Sequence, residues 1–317
     1  MQVIDLLALR NTKNIGDDAL LKLIRLMRRN HLDNFESLST VGPQLDVLSK
    51  PARTALHSLF SEENSSAARN AAVRQTDQLR ANNITVVPYG SEFYPVSLTA
   101  LKKAPPLLFC KGNLSLLKST KNVAVVGSRN CTKRGEVITQ RTVAALAKSN
   151  FNIVSGLALG IDAAAHIAAL DCKTPTIAVV VDVDEISPAK NRVLAEKILD
   201  HDGLLVAENP PNTKVIPAFF AKRDRIQSGL SCGVFAIETA VDGGTMHAVK
   251  AAQEINRPVY VPDAARANYE DLTLDVISGT QHLALTRQAI AYTGADYDEI
   301  IVCLSDRSNQ IMSLKAT

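Results

Sequence analysis

The chain has 317 residues, of which 46% are hydrophobic and 21% are charged, and its formal net charge is +3. This near balance excludes a strongly basic tail as the source of nucleic-acid binding, so any site for a polyanion depends on local placement of Lys and Arg. Aromatic residues make up 4% of the chain and Trp is absent, which argues against an extended platform for stacking bases.

The five cysteines stand in no CxxC or zinc-like spacing. This usage predicts a reduced, cytosolic protein with buried thiols. The N-terminal stretch MQVIDLLALRNTKN lacks a signal pattern, and no run approaches the ~18 apolar residues that a membrane span needs. We therefore expect a cytoplasmic protein with no metal, no cofactor and no membrane partner.

The first part of the chain, residues 1–82, shows helical patterns and no strand-like runs. In ALLKLIRLMRRNH, apolar residues recur at helical spacing with arginines on the other side, and Asp17 or Asp18 is the expected N-cap. Further short helices are predicted over 51–60 and 67–79. The sequence thus predicts a small helical module.

From Ile84 onward, short apolar strands alternate with helical stretches. Strands are predicted over 122–126, 153–155, 176–181, 204–207, 234–238 and 258–261. Helices are predicted over 134–147, 161–170, 190–199, 219–230 and 245–255. This alternation predicts an α/β fold over residues 83–285, a doubly wound, mostly parallel, extended Rossmann-like sheet covered on both faces. Residues 286–317 are polar and mixed, which indicates a loosely packed C-terminal tail.

In such a sheet, ligands bind where the strands end, at their carboxyl edge. Gly127, Ser128 and Arg129 follow the first of these strands directly. The glycine lets the backbone approach a ligand, the hydroxyl and the forked cation suit a phosphate, and the next helix offers free N–H groups. The alternative is a tight turn with a solvated arginine. The stretch is not the GxGxxG dinucleotide fingerprint.

The second strand end is SGLALGIDAAAH, which begins at Ser155 and Gly156. Asp162 and His166 stand four residues apart, hence on one helical face, where they could form an acid–base pair or half a metal site. No further ligand stands at metal-binding spacing. We therefore expect Asp162 to cap the helix and His166 to form a hydrogen bond inside the protein.

The third stretch, PAFFAKRDRIQSGLS, places Phe219 and Phe220 just before Lys222, Arg223 and Arg225. An aromatic ring can stack on a base while the cations hold phosphates, so this pattern suits a single-stranded nucleic acid. The alternative is that both rings are core and the charges face solvent.

In the fourth stretch, ETAVDGGTMHAVKAA, Gly243, Gly244 and Thr245 precede a helix. Their backbone N–H groups and the threonine hydroxyl would again face the carboxyl edge, unless this is only a glycine turn with an N-cap. Four anion-friendly turns at one edge of a sheet favour a phosphate ligand.

These stretches, in this order, resemble the DNA processing protein family DprA, also called Smf. The matching segments are VGSR, SGLALGIDAAAH, FAKRDRIQSGLS and ETAVDGGTMHAVKAA, with YGSEFYPVSLTALKKAPPLLFCKG before them and SGTQHL after them. The likeness spans about residues 84–285.

The resemblance implies a cytoplasmic recombination mediator that is not an enzyme, binds single-stranded DNA, forms a homodimer and loads the RecA recombinase during DNA uptake and transformation. By the same resemblance, the DNA-binding residues would be Gly127, Ser128, Arg129, Ser155, Gly156, Phe220, Lys222, Arg223, Arg225, Gly243, Gly244 and Thr245.

Three departures indicate a divergent member of that family. Val180 and Asp182 stand at two places that are usually glycine, and an unpaired Asp182 would repel a phosphate. Asp224 separates two cations where the family has RNR. The roughly thirty residues after 285 are too few for the C-terminal winged helix that many members carry.

Two other functions stay open at this stage. The related nucleoside-monophosphate phosphoribohydrolases use PGGxGTxxE, but Ala248 stands here at the place of that glutamate, which leaves no positioned general acid or base. A sensor of a small nucleotide signal would use the same edge with a closed pocket, and the basic run after the two phenylalanines favours an open groove instead.

Overall fold

The computed structural model describes residues 2–266 and 273–314. The chain divides into two compact units, Met1–Ser91 with Lys103–Phe109, and Glu92–Lys102 with Cys110–Thr317. The first unit thus contains the first strand as well as the N-terminal helices. No helix among the described residues combines the length and apolar character that a membrane crossing requires.

The first unit is built mainly of helices. They are α1 (Val3–Asn11), α2 (Asp17–Arg29), α3 (Lys50–Ser58) and α4 (Glu62–Ala81), followed by strand β1 (Thr85–Pro88). The apolar face of α2 is fully buried, as its spacing predicts. The predicted cap was wrong, because the extended residue Gly16 occupies the N-cap. Asp17 and Asp18 lie in the first turn instead, where negative charge favours the helix dipole.

The second unit carries the alternation of strands and helices. Its elements are β3 (Asn122–Val126), α5 (Lys133–Lys148), β4 (Asn152–Ser155), α6 (Ile161–Asp171), β5 (Thr176–Val179), α7 (Arg192–Asp200), β6 (Leu204–Ala207), α8 (Pro217–Leu230), β7 (Gly233–Ala236), α9 (Met246–Glu254), β8 (Val259–Pro262), α10 (Asp275–Leu285), β9 (Ile290–Tyr292) and α11 (Tyr297–Met312). Strand β2 (Leu107–Gly112) has residues in both units.

Within the second unit the strands follow the order β6-β5-β4-β3-β7-β8-β9. Every neighbouring pair in this series is parallel. The doubly wound, Rossmann-like fold is therefore confirmed. The chain runs outward from β3 through β4 to β6 and then returns to β7 on the other side of β3. Ligands of such sheets bind at this switch point, between the loops that follow β3 and β7.

The core lies on both faces of this sheet, and β3 to β8 are buried along nearly their whole length. The rings of Phe235 and Tyr260 on neighbouring strands stack with their centroids 4.9 Å apart. Val143 and Leu146 of α5 and Ile161 of α6 complete the same cluster. Strands buried on both faces need the continuous apolar runs that the sequence shows.

The predicted loose tail was wrong for the described residues 286–314. Ile290–Tyr292 forms β9, which extends the sheet beyond β8, and α11 covers its end. Ile300, Leu304 and Ile311 recur on one face of α11 and are buried in the main core. Polar residues separate these apolar residues along the sequence, so the overall composition of the segment did not indicate an amphipathic helix.

Candidate functional site

The loop after β3 packs tightly against the start of α6. The carbonyl of Ser128 accepts a hydrogen bond from the backbone N–H of Ile161 at 3.1 Å, and its own N–H donates to the carbonyl of Glu238 at 2.7 Å. A Cβ on Gly127 would lie 2.6 Å from the Ile161 side chain. Gly160 has a φ of +75° and faces the Ser128 carbonyl, so only glycine fits both its conformation and its space. This packing fixes the loop beside the switch point.

The loop after β7 is held just as firmly. The N–H of Gly243 donates to the carbonyl of Ala240 at 3.0 Å, and a Cβ on Gly243 would lie 2.4 Å from the Thr239 hydroxyl oxygen. Gly244 differs, because a Cβ there would meet no atom within 4 Å. The backbone at Gly244 and Thr245 is therefore open to a ligand at the start of α9.

Arg223 reaches the same place from α8, and its side chain is buried with 5% of its surface exposed. The guanidinium lies against the backbone of Gly156, where a Cβ would be 1.4 Å from Nη1. Its ion-pair partners are Asp162 at 3.6 Å and Asp224 at 3.4 Å. Both Nε and Nη1 of Arg223 lack a hydrogen-bond partner among the described residues. The two aspartates thus hold the arginine in place, and its Nη1 and Nε donors form no hydrogen bond among the described residues.

These three segments enclose a cavity of about 600 Å³ at the carboxyl edge of the sheet, at the switch point. The predicted site residues that line it are Gly127, Ser128, Arg129, Phe220, Arg223, Gly243, Gly244 and Thr245. The structure thus brings together residues from three separate stretches of sequence.

The carboxyl groups around Arg223 hold their protons more tightly than usual. The pKa of Asp224 is raised to about 7, mainly by burial and also by the charge of Asp162, against the opposing charges of Arg223 and Arg129. Burial also raises the pKa of Asp162, against the charge of Arg223. Near neutral pH Asp224 therefore neutralises the cation only in part, which leaves positive charge for an anion in the cavity.

An aromatic ring in the cavity wall lies beside a second cation, Arg129. Phe220 is half-buried and lines the cavity, and the guanidinium carbon of Arg129 lies 5.2 Å from the centre of its ring. Arg129 itself is exposed. The two side chains form a wall that can offer a nucleotide both a stacking surface and a charge.

Other predicted site residues lie outside the cavity wall. Lys222 and Arg225 are directed to the buried carboxylate of Glu208, which Lys222 approaches to 3.4 Å and Arg225 more closely. The Ser155 hydroxyl is buried and donates to the carbonyl of Val125 at 2.6 Å. Gly156 contributes only the space that Arg223 occupies. Successive residues of a helix point in different directions, so a basic run on α8 cannot face one ligand throughout.

Two further acids at the strand ends have structural roles. Asp182 is buried and accepts hydrogen bonds from backbone N–H groups, at 2.8 Å from Asp184 and at 2.7 Å from Asn212. It is thus paired, which removes the expected conflict with a phosphate. Glu238 accepts from both the N–H and the hydroxyl of Thr132, the N-cap of α5.

The expectation for His166 agrees with the structure, whereas the one for Asp162 does not. His166 is buried, its Nδ1 lies 2.8 Å from the Thr176 hydroxyl, and burial lowers its pKa to about 3, so the ring is neutral. The N-cap of α6 is Gly160, without a side-chain cap. Asp162 lies in the first turn and serves instead as a partner of Arg223.

Sequence reasoning missed several residues of the cavity wall, namely Gln227, His247 and Asp275. Gln227 lies one helical turn after Arg223 on α8, and His247 lies in the first turn of α9, just after the predicted residue Thr245. These positions were the available signal. Asp275 belongs to α10, which no motif placed at this edge. Within the described residues 2–266 and 273–314, no cluster of His, Cys, Asp and Glu is suited to a metal ion.

The parallel sheet and its switch-point crevice, with glycine loops and a buried arginine in the wall, define a Rossmann-like protein. The chain belongs to the DNA recombination-mediator protein A family, whose model matches residues 85–303. The resemblance drawn from the motifs is thereby confirmed.

Relatives of known name carry the same signal. The chain is 37% identical to the DNA processing protein DprA of Streptococcus pneumoniae over 205 residues, 64% of this chain and 69% of the relative. It is 34% identical to the Bacillus subtilis DprA over 182 residues, 57% of this chain and 61% of the relative. The match to the Escherichia coli protein Smf covers only 49% of that relative, at 38% identity. The matched region thus falls short of two thirds of the length of several relatives.

Solved structures agree with this assignment. The crystal structure of DNA processing protein A from Streptococcus pneumoniae matches with a TM-score of 0.73 and 25% identity, over 94% of this chain and 98% of that one. DNA processing protein A from Helicobacter pylori, described for its mode of binding single-stranded DNA, matches with a TM-score of 0.60 and 26% identity, over 69% of this chain and 95% of that one.

Proposed function

We propose that this protein binds single-stranded DNA in the cavity at the switch point and breaks no bond there. The observation that carries the proposal is Arg223, a buried guanidinium in the cavity wall whose Nη1 and Nε form no hydrogen bond among the described residues, although Nε lies 3.4 Å from an Asp224 oxygen. Burying an unpaired cationic donor costs stability, so such a group is expected where a ligand completes its hydrogen bonds. A phosphate is the anion that the surrounding loops suit best.

The backbone around Arg223 supports a phosphate ligand. Ser128 presents a hydroxyl beside the start of α6, and Gly244 and Thr245 present open backbone at the start of α9. Helix N-termini attract anions through free N–H groups and the helix dipole. A phosphodiester held between these loops would lie in the cavity, next to Arg223 in its wall.

The choice of a polynucleotide over a small anion depends on Phe220 and Arg129. The base of a nucleotide whose phosphate is bound at the loops would contact the half-buried ring of Phe220. The exposed Arg129 would bind the next phosphate of the strand. Lys222 and Arg225 would add positive charge at the flank rather than direct contacts, because Glu208 pairs with both. The similar DNA processing protein A of Helicobacter pylori, described for its mode of binding single-stranded DNA, supports this role.

A nucleotide sensor is the second candidate, because a cavity of about 600 Å³ falls within the range for small-molecule sites. A phosphoribohydrolase has less support, since the buried Ala248 in the cavity wall offers no carboxylate. Asp224 could in principle donate a proton, so release of a base from a nucleoside monophosphate is worth measuring alongside binding.

A salt series with a labelled oligonucleotide tests the proposal. If about three to five phosphates are neutralised, log K should fall against log salt with a slope of roughly −2 to −4. Single strands should bind more tightly than duplex, and a nucleoside monophosphate should compete only at high concentration. A flat salt dependence with strong competition by the mononucleotide would favour the sensor instead.

We further propose, from membership of the family, that the protein acts in the cytoplasm as a homodimer and loads RecA onto the bound strand. RecA filament formation on strands coated with single-strand-binding protein should accelerate when the protein is added. Light scattering should give twice the 34.2 kDa mass of the chain. No acceleration together with intact DNA binding would remove the loading role and keep the binding role.

A further inference from the structure

A second cavity, of about 730 Å³, lies at the opposite end of the sheet. It is formed where α9 ends, where β8 begins and along one side of α11, with Arg257 and Arg307 among its lining residues. The strands of the second unit are parallel, so the start of β8 is at the amino edge. This cavity is therefore separate from the proposed DNA site at the carboxyl edge.

The backbone holds Arg257 firmly in this cavity. The helix α9 ends with Asn256 in the left-handed conformation, at a φ of +56°. The N–H of Asn256 donates to the carbonyl of Gln253 at 3.1 Å, and that of Arg257 donates to the carbonyl of Ala252 at 2.8 Å. This pair of bonds is a Schellman motif. The last carbonyls of α9 are thus used by the backbone and are not left for the arginine side chain.

The Arg257 side chain is buried, with 6% of its surface exposed. Its Nε and Nη2 have no hydrogen-bond partner among the residues that the structure describes. These two nitrogens form the side of the guanidinium that binds both oxygens of a carboxylate or phosphate at once. A buried guanidinium whose Nε and Nη2 donors form no hydrogen bonds destabilises the folded protein when no ligand is bound. The same donors are suited to binding an oxyanion.

A second guanidinium adds to the positive charge. Arg307 of α11 lines the cavity and donates from Nη1 to the side-chain oxygen of Gln310 at 2.9 Å. Burial and the nearby charge of Arg307 together lower the pKa of Arg257 to about 10. Two cations that repel each other in one cavity are stabilised by an anion between them.

The acidic residues that line the cavity do not provide the anion between Arg257 and Arg307. Glu299 and Asp306 also line it, yet neither forms an ion pair with Arg257 or Arg307 within residues 2–266 and 273–314. The two neighbours whose charges act on the pKa of Arg257 are Arg307 and the thiol of Cys232. The buried cation thus lacks a partner from its own chain in the described residues.

We propose that this cavity is a second ligand site, in which Arg257 and Arg307 bind the carboxylate or phosphate group of a small molecule. The Nε and Nη2 edge of Arg257 grips two oxygens of the group, and Arg307 closes on a third oxygen or on the same charge. The amide side chains of Gln253 and Asn256 in the cavity wall supply further polar contacts to the rest of the ligand. The site is independent of the proposed DNA cavity.

Thermal unfolding of the full chain tests this site with inorganic phosphate and with acetate, each against sodium chloride at equal ionic strength. An anion that binds the folded state raises the unfolding midpoint in a saturable way, by roughly 2–4 °C at ten times its dissociation constant. A response to phosphate alone, to acetate alone or to both supports the site and names its ligand class.

Matched variants identify the place of binding. Arg257→Met should remove the part of the response that comes from this cavity, and Arg307→Gln should reduce that part. Arg129→Ala can lose only phosphate bound at the other cavity, so it should leave that part intact. Because Arg257→Met also removes a buried unpaired charge, its midpoint in chloride should equal or exceed that of the natural chain. If it fails to fold, Arg307→Gln carries the same comparison. Absence of a saturable shift with both anions, or an equal shift in Arg257→Met, would overturn the proposal.

Discussion

The two cavities of the second unit both contain a buried arginine with unpaired donors, but their surroundings differ. Arg223 lies between Asp162 and Asp224, two carboxyl groups whose pKa values are raised. Arg257 lies near another cation, Arg307. In the first cavity, positive charge depends on how far the acids are protonated. In the second cavity, Glu299 and Asp306 also line the wall, but neither forms an ion pair with Arg257 or Arg307 among the described residues. We therefore expect pH to affect the first cavity more strongly than the second.

The cavities also differ in what surrounds the cation. At the carboxyl edge, glycine loops expose backbone N–H groups and Phe220 supplies a ring, which suits a chain of nucleotides. At the amino edge, the wall consists mainly of amide and charged side chains, and none of its described lining residues is aromatic. A buried arginine alone therefore does not define the ligand, and the groups around it do.

The largest expected difference between the cavities comes from replacing each of the two arginines in turn and measuring DNA binding. Arg223→Met should weaken single-stranded DNA binding about 10- to 100-fold, because it removes charge-assisted hydrogen bonds to phosphate. Arg257→Met should leave that affinity unchanged. Fluorescence anisotropy with a labelled oligonucleotide measures both.

Folding must be checked in the same samples, since Arg223 also pairs with the buried Asp162. Circular dichroism and the unfolding midpoint show whether Arg223→Met is native. Equal losses of affinity in natively folded Arg223→Met and Arg257→Met would mean that the two cavities are not independent.

Loss of the ring is the next largest effect. Phe220→Ala should cost roughly 1–2 kcal/mol of binding free energy, in the lower part of the range for base stacking, because Arg129 already lies near the ring. Phe219→Ala is the matched control, because Phe219 is also half-buried but is not in the cavity wall. A global loss of folding in Phe220→Ala would show instead that the ring is part of the core.

Arg129→Ala should have a smaller effect. Removing one exposed phosphate contact should weaken binding about fivefold and reduce the salt slope by roughly 0.7. The loss should be the same for oligonucleotides of different sequence, because phosphate contacts carry no base information. Titrations at several salt concentrations with oligo(dT) and oligo(dA) give both quantities. A loss confined to one sequence would place Arg129 against a base.

The sequence was sufficient to predict the sheet and the edge where several predicted site residues line a cavity. Continuous apolar runs located the strands from β3 to β8, and the residues just after β3 and β7 do line the cavity. These inferences succeed because strand burial and the position of strand ends depend on local pattern. The direction of each side chain on α8 depends on packing, so Lys222, Arg223 and Arg225 looked equivalent although only Arg223 enters the cavity.

The C-terminal segment shows the other limit. Strand β9 has three residues, and α11 hides its apolar face among polar ones, so neither stands out by composition. Both are stabilised by long-range contacts, such as the hydrogen bonds of the Thr142 hydroxyl with Tyr292 at 2.8 Å and Tyr297 at 2.9 Å. The second cavity depends on α11, which is why no motif indicated it.

The smallest effect tests the difference in pH response between the cavities. Burial raises the pKa of Asp224 to about 7, so its carboxyl is mostly neutral at pH 6 and mostly charged at pH 8. A charged Asp224 repels a phosphate beside Arg223, so DNA affinity should fall as pH rises across this interval. Asp224→Asn should remove that dependence and tighten binding about threefold at pH 8, with His247→Gln as control for the histidine in the same wall. An unchanged pH profile in Asp224→Asn would mean that Asp224 does not face the bound phosphate.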